Sequence, residues 1–331
     1  MEQYKSHPAH MMTPLSAPTD HSDEIDLREL FKALWKGKWI IIATTMVFAI
    51  GSVLYALSLP NIYKADTLLA PAESSDGGGL AKMAGQLGGL ASLAGINLGS
   101  GGQSSKTDLA VSVMKSRQFI DDFIQRHDLL VPLMAAKGWD LEHNKLILDE
   151  DIYNAETGEW LREPEGLRGA KPSAQEAFEE FSTRVLTVTQ DQESGLYTVS
   201  VQHYSPYVAQ QWVTWLTEDI NQVMRERAIE ETSKNLNYLE TQLQKTAVAD
   251  MQSTFYKLIE EQTKSRMLAE VQEEFIFKIV DPAVVPEEKA SPKRALICVI
   301  GTLLGGILSV AFVLVMSALR RNPESNETDS H

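Results

Sequence analysis

No charged residue interrupts the stretch from Ala295 to Leu319 (ALICVIGTLLGGILSVAFVLVMSAL), and the basic pairs Lys293-Arg294 and Arg320-Arg321 close it at both ends. A helix of that length runs about 37 Å at ~1.5 Å per residue, enough to cross a hydrocarbon core of ~30 Å. Lipid offers no partners to backbone N–H and C=O groups, so helix is the only state open to such a segment. This predicts a membrane span at 295–319 followed by a short tail, 320–331. Just before it, Pro282, Pro286 and Pro292 punctuate DPAVVPEEKASPKR. Each fixes φ and lacks an N–H, so the segment predicts a stiff, extended joint that stops whatever element precedes the membrane.

A second charge-free run lies between Lys38 and Lys64 and predicts a span at 39–59. Ala56-Leu57-Ser58 resembles a signal-peptide cleavage site, but the region before the run is too long and acidic, and the run itself too long. Lys32, Lys36 and Lys38 precede this span and one lysine follows closely, which places residues 1–38 in the cytoplasm by the positive-inside rule. Two spans return the C-terminus to the same side. Residues 60–294 are then extracytoplasmic, most simply periplasmic. Within 1–38, the end EIDLRELFKALWKGK reads either as an amphipathic helix on the membrane surface or as a simple basic flank to the span.

Charge excludes one class of function. With Lys+Arg 30 against Asp+Glu 45 the net charge is −15, so the chain lacks the basic face that nucleic acid requires. The single cysteine, Cys298, falls inside the second span. No intrachain disulfide and no cysteine metal cluster are available, and 60–294 must be held by a core.

That region begins with a strand, Ile62–Ala70, stopped by Pro71. The Gly-rich tract 77–102 follows. Its Leu, Ala and Ile set it apart from a Gly/Ser linker and predict a flexible loop that packs, for instance against a neighbouring subunit. Its end, GSGGQSSKT, approaches a phosphate-binding loop but fails in register, with Ser100 and Ser105 at the required glycine positions. Thr107–His127 keeps its apolar residues on one broad helical face. Residues 138–172 read as an irregular, solvated insertion. Asp149 and Asp151 hint at a calcium loop there, but Tyr153 takes the next alternate position and no glycine follows.

Ser173 and Glu176 form a capping box for a helix to Arg184. The runs 185–189 and 196–203 alternate and are joined by DQESG, a hairpin signal. From Tyr207 to Asp281 there is neither Gly nor Pro, and Ser205-Pro206 supplies an N-cap with proline at the first helical position. Val208, Trp212, Trp215, Leu216, Ile220, Val223 and Met224 form a broad face. Beyond Arg225 only Leu236, Leu239 and Leu243 remain, a seam suited to a helix that leaves its core. Asp250 marks a break, a second helix follows, and FIFKIV at 275–280 is a strand. The order is βαββαβ: an α+β fold with a ferredoxin-like base, long projecting helices that reach roughly 60 Å, and two flanking transmembrane helices.

No catalytic, cofactor or metal site is expected. His127, His143 and His203 are scattered, HExxH, GxSxG and CxxC are absent, and Glu260-Glu261 and Glu273-Glu274 read as solvated helix faces. Gly301 and Gly305, four apart in the second span, predict a helix contact through small residues.

Three segments carry a family resemblance: LPNIYKADTLLAP after the first span, SVMKSRQFIDDFI, and KIVDPAVVPEEKASPKRALI leading into the second. They resemble the Wzz family of bacterial polysaccharide chain-length determinants, or polysaccharide co-polymerases, over residues 25–321. The Gly-rich tract and the insertion at 139–172 depart from it. The resemblance implies a homo-oligomer of the cell inner membrane, a ring with a bell-shaped periplasmic part. It implies a protein that is no enzyme and that sets the length of O-antigen (lipopolysaccharide) or a related glycan. Its partners would be the polysaccharide polymerase and the growing glycan. An alternative within the same resemblance is a co-factor for capsule or exopolysaccharide assembly and export. That role would be shared with a separate tyrosine kinase, since the tail is too short for a fused one. A membrane-tethered sensor is a third reading, but it should carry an output domain that the cytoplasmic flanks do not provide.

Overall fold

The computed structural model describes residues 34–72, 101–246 and 248–321. Most of the amphipathic stretch expected before the first span and nearly all of the Gly-rich tract lie outside the described residues. The chain divides into two units, one holding the two apolar helices and the other running from Ser58 to Lys293.

The first apolar helix, α1 (Lys38–Ser58), matches the expected 39–59 span within a residue at each end. The second unit opens with β1 (Tyr63–Pro71), where Ala65, Thr67 and Leu69 are buried and Asp66 between them is exposed. That alternation is the signature of a strand with one face on a core. Pro71 is the last residue of β1 and pairs with Phe277, one residue beyond the expected end.

The single helix expected at 107–127 is two, α2 (Gly101–Met114) and α3 (Arg117–Arg126). Ser116 is the cause. Its backbone is extended, with ψ 149°, and its hydroxyl accepts from the Phe119 N–H at 3.3 Å. One residue leaves the helix and caps the next, so Phe119, Ile120, Phe123 and Ile124 reach the core that Val113 and Met114 also enter.

After the short α4 (Leu130–Met134) the insertion differs from the irregular loop expected. It folds into two antiparallel hairpins, β2 (Ala136–Asp140) with β3 (Lys145–Leu148), and β4 (Tyr153–Asn154) with β5 (Glu159–Trp160). Asn144 in the first turn has φ 48° and Gly158 in the second φ 72°, the left-handed conformations tight turns use. Asp149, once a candidate calcium ligand, accepts from the Asp151 N–H at 3.3 Å and from Lys137 Nζ at 3.4 Å.

The capping box at Ser173 and Glu176 is present and opens α5 (Ala174–Glu180). One π turn, Phe181–Val185, leads into β6 (Leu186–Gln190), which forms a hairpin with β7 (Tyr197–His203). Then comes α6 (Pro206–Lys245), forty residues and about 60 Å long, capped by Ser205 as expected. Its buried residues stop at Met224; beyond that it pairs with α7 (Ala249–Val271) as a helical arm. α6 ends at Lys245 and α7 begins at Ala249, so Asp250 lies in the first turn of α7, where its charge suits the helix N-terminus.

The last strand, β8 (Phe277–Asp281), completes a sheet of order β6-β7-β1-β8, antiparallel throughout. Helices α3, α5 and α6 cover one face around Phe123, Phe181, Trp212, Leu216, Val199 and Val201. The second apolar helix, α8 (Arg294–Arg321), closes the chain and is long and apolar enough to cross a membrane.

Candidate functional site

The elements that connect the helical arm to the joint form the most built part of the base. Asn221 lies on the buried face of α6, 5 % exposed. Its Oδ1 accepts from the N–H groups of Ile276 and Phe277, both at 2.9 Å, and its Nδ2 donates to the Phe277 carbonyl at 3.0 Å. One side chain therefore serves both backbone groups of Phe277, as a neighbouring strand would, at the open edge of the sheet. Four residues on, Arg225 Nη1 donates to the Gln272 carbonyl at 3.4 Å, tying the root of α6 to the end of α7. The arm thus enters the base at Arg225–Gln272 and reaches β8 through Asn221.

From β8 the chain enters the proline-rich segment. Pro282 is exposed, and Pro286 and Pro292 are half-buried. This segment is tied to the base at two places. Gln210 Nε2 of α6 donates to the Ala283 carbonyl at 3.2 Å. Further on, the Ile62 N–H donates to Ser291 at 2.9 Å, while Ala290 and Ser291 donate back to Ile62 at 2.9 and 3.2 Å. Lys289 Nζ adds a bond to Asn61 at 3.3 Å. The Ser291–Pro292 peptide is cis. The stretch just before β1 and the stretch just before α8 are therefore fastened together on the base. Pro286 lies between the two ties and Pro292 follows the second.

In the unit of apolar helices, Gly301 and Gly305 face α1. A Cβ added at Gly301 would stand 2.5 Å from the Ser52 Cβ, and one at Gly305 would strike Phe48. Thr45 Oγ1 and Ser309 Oγ share a hydrogen bond at 3.4 Å, and Gly37 leaves no room for a Cβ beside Val313. The pairs 37–313, 45–309, 48–305 and 52–301 define an antiparallel seam with at least one small residue in each pair, the packing that lets helix backbones approach closely. Arg294 Nε donates to the Ala56 carbonyl at 3.0 Å, at the C-terminal turn of α1 where a cation is favoured.

The three histidines of the base stay apart. His127 Nε2 meets Asp219 at 3.1 Å beside Arg126, and its ring stacks on Trp215. His143 pairs with Asp140 at 2.6 Å. His203 is buried, with Nδ1 accepting from the Ser205 N–H at 3.1 Å and Nε2 donating to the Pro132 carbonyl at 3.0 Å. Burial pushes its pKa down to about 4. Glu176 is held at about 2 by Arg162, which grips it with Nη1 at 2.7 Å and Nη2 at 3.1 Å and reaches across from the insertion. Among the described residues no group of histidine, cysteine, aspartate and glutamate is placed to hold a metal ion. Asn221 escaped the sequence reading. Along the sequence it is one more polar residue beside Thr217 and Asp219, which are also buried on α6.

A family model for Wzz, chain length determinant protein, matches residues 23–127. A second model, GNVR, "G-rich domain on putative tyrosine kinase", matches residues 239–318. Among solved structures, a full-length bacterial polysaccharide co-polymerase is similar over 90 % of this chain and 100 % of its own, at 16 % identity and TM-score 0.37. A fragment of WzzB, the polysaccharide co-polymerase from Salmonella Typhimurium, is similar over 70 % of this chain and 100 % of its own, at 12 % identity and TM-score 0.26. No curated protein matches. Residues 23–127 are thus similar to chain length determinant proteins of the Wzz family.

Proposed function

We propose that this protein is a non-enzymatic regulator of O-antigen chain length in lipopolysaccharide, acting as an inner-membrane homo-oligomer together with the polysaccharide polymerase. The observation that carries this reading is the chain length determinant match, which takes in α1, β1, α2 and α3. The sheet order β6-β7-β1-β8 supports a ferredoxin-like, split βαβ base, because it is the order of that topology when the strands are taken as first, second, third and fourth in the chain. The lysines before α1 support cytoplasmic termini and a periplasmic 60–294. In this reading the joint at Pro282, Pro286 and Pro292 carries the orientation of the base to the spans, beside which the polymerase works.

A second reading has its own observation. The GNVR match covers the end of α6, α7, β8, the joint and α8, and its description places that domain on a tyrosine kinase. It favours a co-factor for capsule or exopolysaccharide assembly and export that works with a separate kinase.

A deletion strain separates them. Loss of the modal band in an O-antigen ladder, restored by the intact gene, is the expected result. An unchanged ladder with loss of capsule or exopolysaccharide would transfer the assignment to the second reading. Reporter fusions at Gly158 should be active only as periplasmic reporters; cytoplasmic activity there would end the topology.

A further inference from the structure

The β2–β3 hairpin shows more apolar surface than its own packing uses. Leu141, in the turn, is 74 % exposed, and Ile147 is 44 % exposed. Behind the turn, Trp139 meets Tyr63 edge-on with ring centroids 5.7 Å apart, and Tyr207 at 6.1 Å. Trp139 Nε1 donates to Asn144 Oδ1 at 2.9 Å, which fixes the indole against the hairpin. Tyr207 is exposed and the other two rings are half-buried. Three rings, each an apolar body with a polar tip, thus share one outer corner of the base with a bare leucine. The charges of the hairpin cancel, Lys137 and Lys145 against Asp140 and Glu142. A loop made only to be solvated has no use for this composition. Tryptophan, tyrosine and an exposed aliphatic tip are what a membrane–water interface selects.

Covalent reach puts that interface within range. Tyr63 follows Ser58, the last residue of α1, by five positions. Ile62 beside it is bonded to Ser291, three positions before α8 begins at Arg294. Extended chain spans at most ~3.5 Å per residue, so covalent reach alone keeps the Tyr63 backbone within about 20 Å of the last residue of α1.

We propose that the β2–β3 hairpin is a lipid contact of the base: Leu141 enters the headgroup region, with Trp139, Tyr63 and Tyr207 at the level of the interface. This rests on reading α1 and α8 as membrane spans. Because the hairpin is net neutral, its partner is the interface itself and not an anionic headgroup. A second foothold beside the spans would restrict the tilt of the base over the bilayer.

The test uses the full chain in phosphatidylcholine vesicles, with Cys298→Ser and an environment-sensitive NBD label placed through Leu141→Cys. A matched label through Leu167→Cys, at a fully exposed position of the same insertion, is the reference. The expected result is blue-shifted emission at position 141, quenched by lipids brominated near the headgroup, with position 167 water-like and unquenched. Replacing a third of the lipid by phosphatidylglycerol should leave both unchanged. Emission at 141 as water-like as at 167 overturns the proposal. Blue-shifted emission that bromolipid does not quench also overturns it and assigns the tip to a second copy of the chain. Carbonate extraction of the same vesicles checks the spans separately: release of the protein would refute the spans, while retention with a water-like label at 141 refutes only the hairpin.

Discussion

Asn221 serves both backbone groups of Phe277, accepting from its N–H at 2.9 Å and donating to its carbonyl at 3.0 Å. Phe277 is fully buried and begins the strand that leads into the joint. A helix that extends far outside the base is thereby locked to the strand that leads through the proline-rich segment toward α8.

Asn221→Ala should cost about 2–4 kcal/mol, because it strands buried backbone groups at ~1–3 kcal/mol each with partial relief by water. Thermal unfolding of the full chain in detergent measures it. Asn221→Ala should also loosen the arm at its root, seen as faster proteolysis near Gln272. A variant as stable and as resistant as the parent would show that β8 is held by β1 alone.

Two buried groups set different acid limits. His203 is neutral in the fold with its pKa lowered to about 4, so its contribution is complete above the unfolded value near 6.5. It is lost as pH falls from there through 4, when Nδ1 must take a proton while facing the Ser205 N–H. Glu176 is also lowered, to about 2, so its contribution is present above its usual 4.5 and is lost as pH falls through 2. Melting temperature should therefore drop first between pH 6.5 and 4, and His203→Gln should flatten that step alone. Glu176→Gln should instead free the insertion at neutral pH, measured as protease cleavage between Glu163 and Lys171. A step at pH 6.5–4 that survives His203→Gln would assign it elsewhere.

Gly305→Leu should separate α8 from α1, since Phe48 occupies the space a side chain would need. With Thr45→Cys and Ser309→Cys in a Cys298→Ser chain, disulfide formation across the seam should fall several-fold when Gly305→Leu is added. The glycan ladder and the oligomer should shift with it. Unchanged cross-linking and an unchanged length distribution would discard the seam as a functional contact.

Pro286→Gly combined with Pro292→Gly tests the joint. The ties at Ala283 and at Ile62–Ser291 hold the segment to the base, so the double variant should assemble and insert normally. If orientation passes through the prolines, the modal glycan length should broaden or move. A normal ladder from a correctly sized oligomer would make the joint a spacer.

Local chemistry was legible without the tertiary structure. The two long apolar helices follow from the charge-free runs at 39–59 and 295–319. The caps at Ser173–Glu176 and Ser205–Pro206 are written within four residues, and β1 shows itself by alternation. Other features depended on residues far apart in the chain. The extended turn at Ser116 splits a helix whose periodicity runs on unbroken, because packing of both halves outweighs continuity. The insertion read as solvated because its first hairpin closes, through Trp139, on Tyr63 and Tyr207, aromatic partners supplied by distant elements. Asn221 is the clearest case. A polar residue on an apolar face has no meaning along the sequence until an edge strand arrives with two unfilled backbone groups, and only the folded chain brings that strand to it.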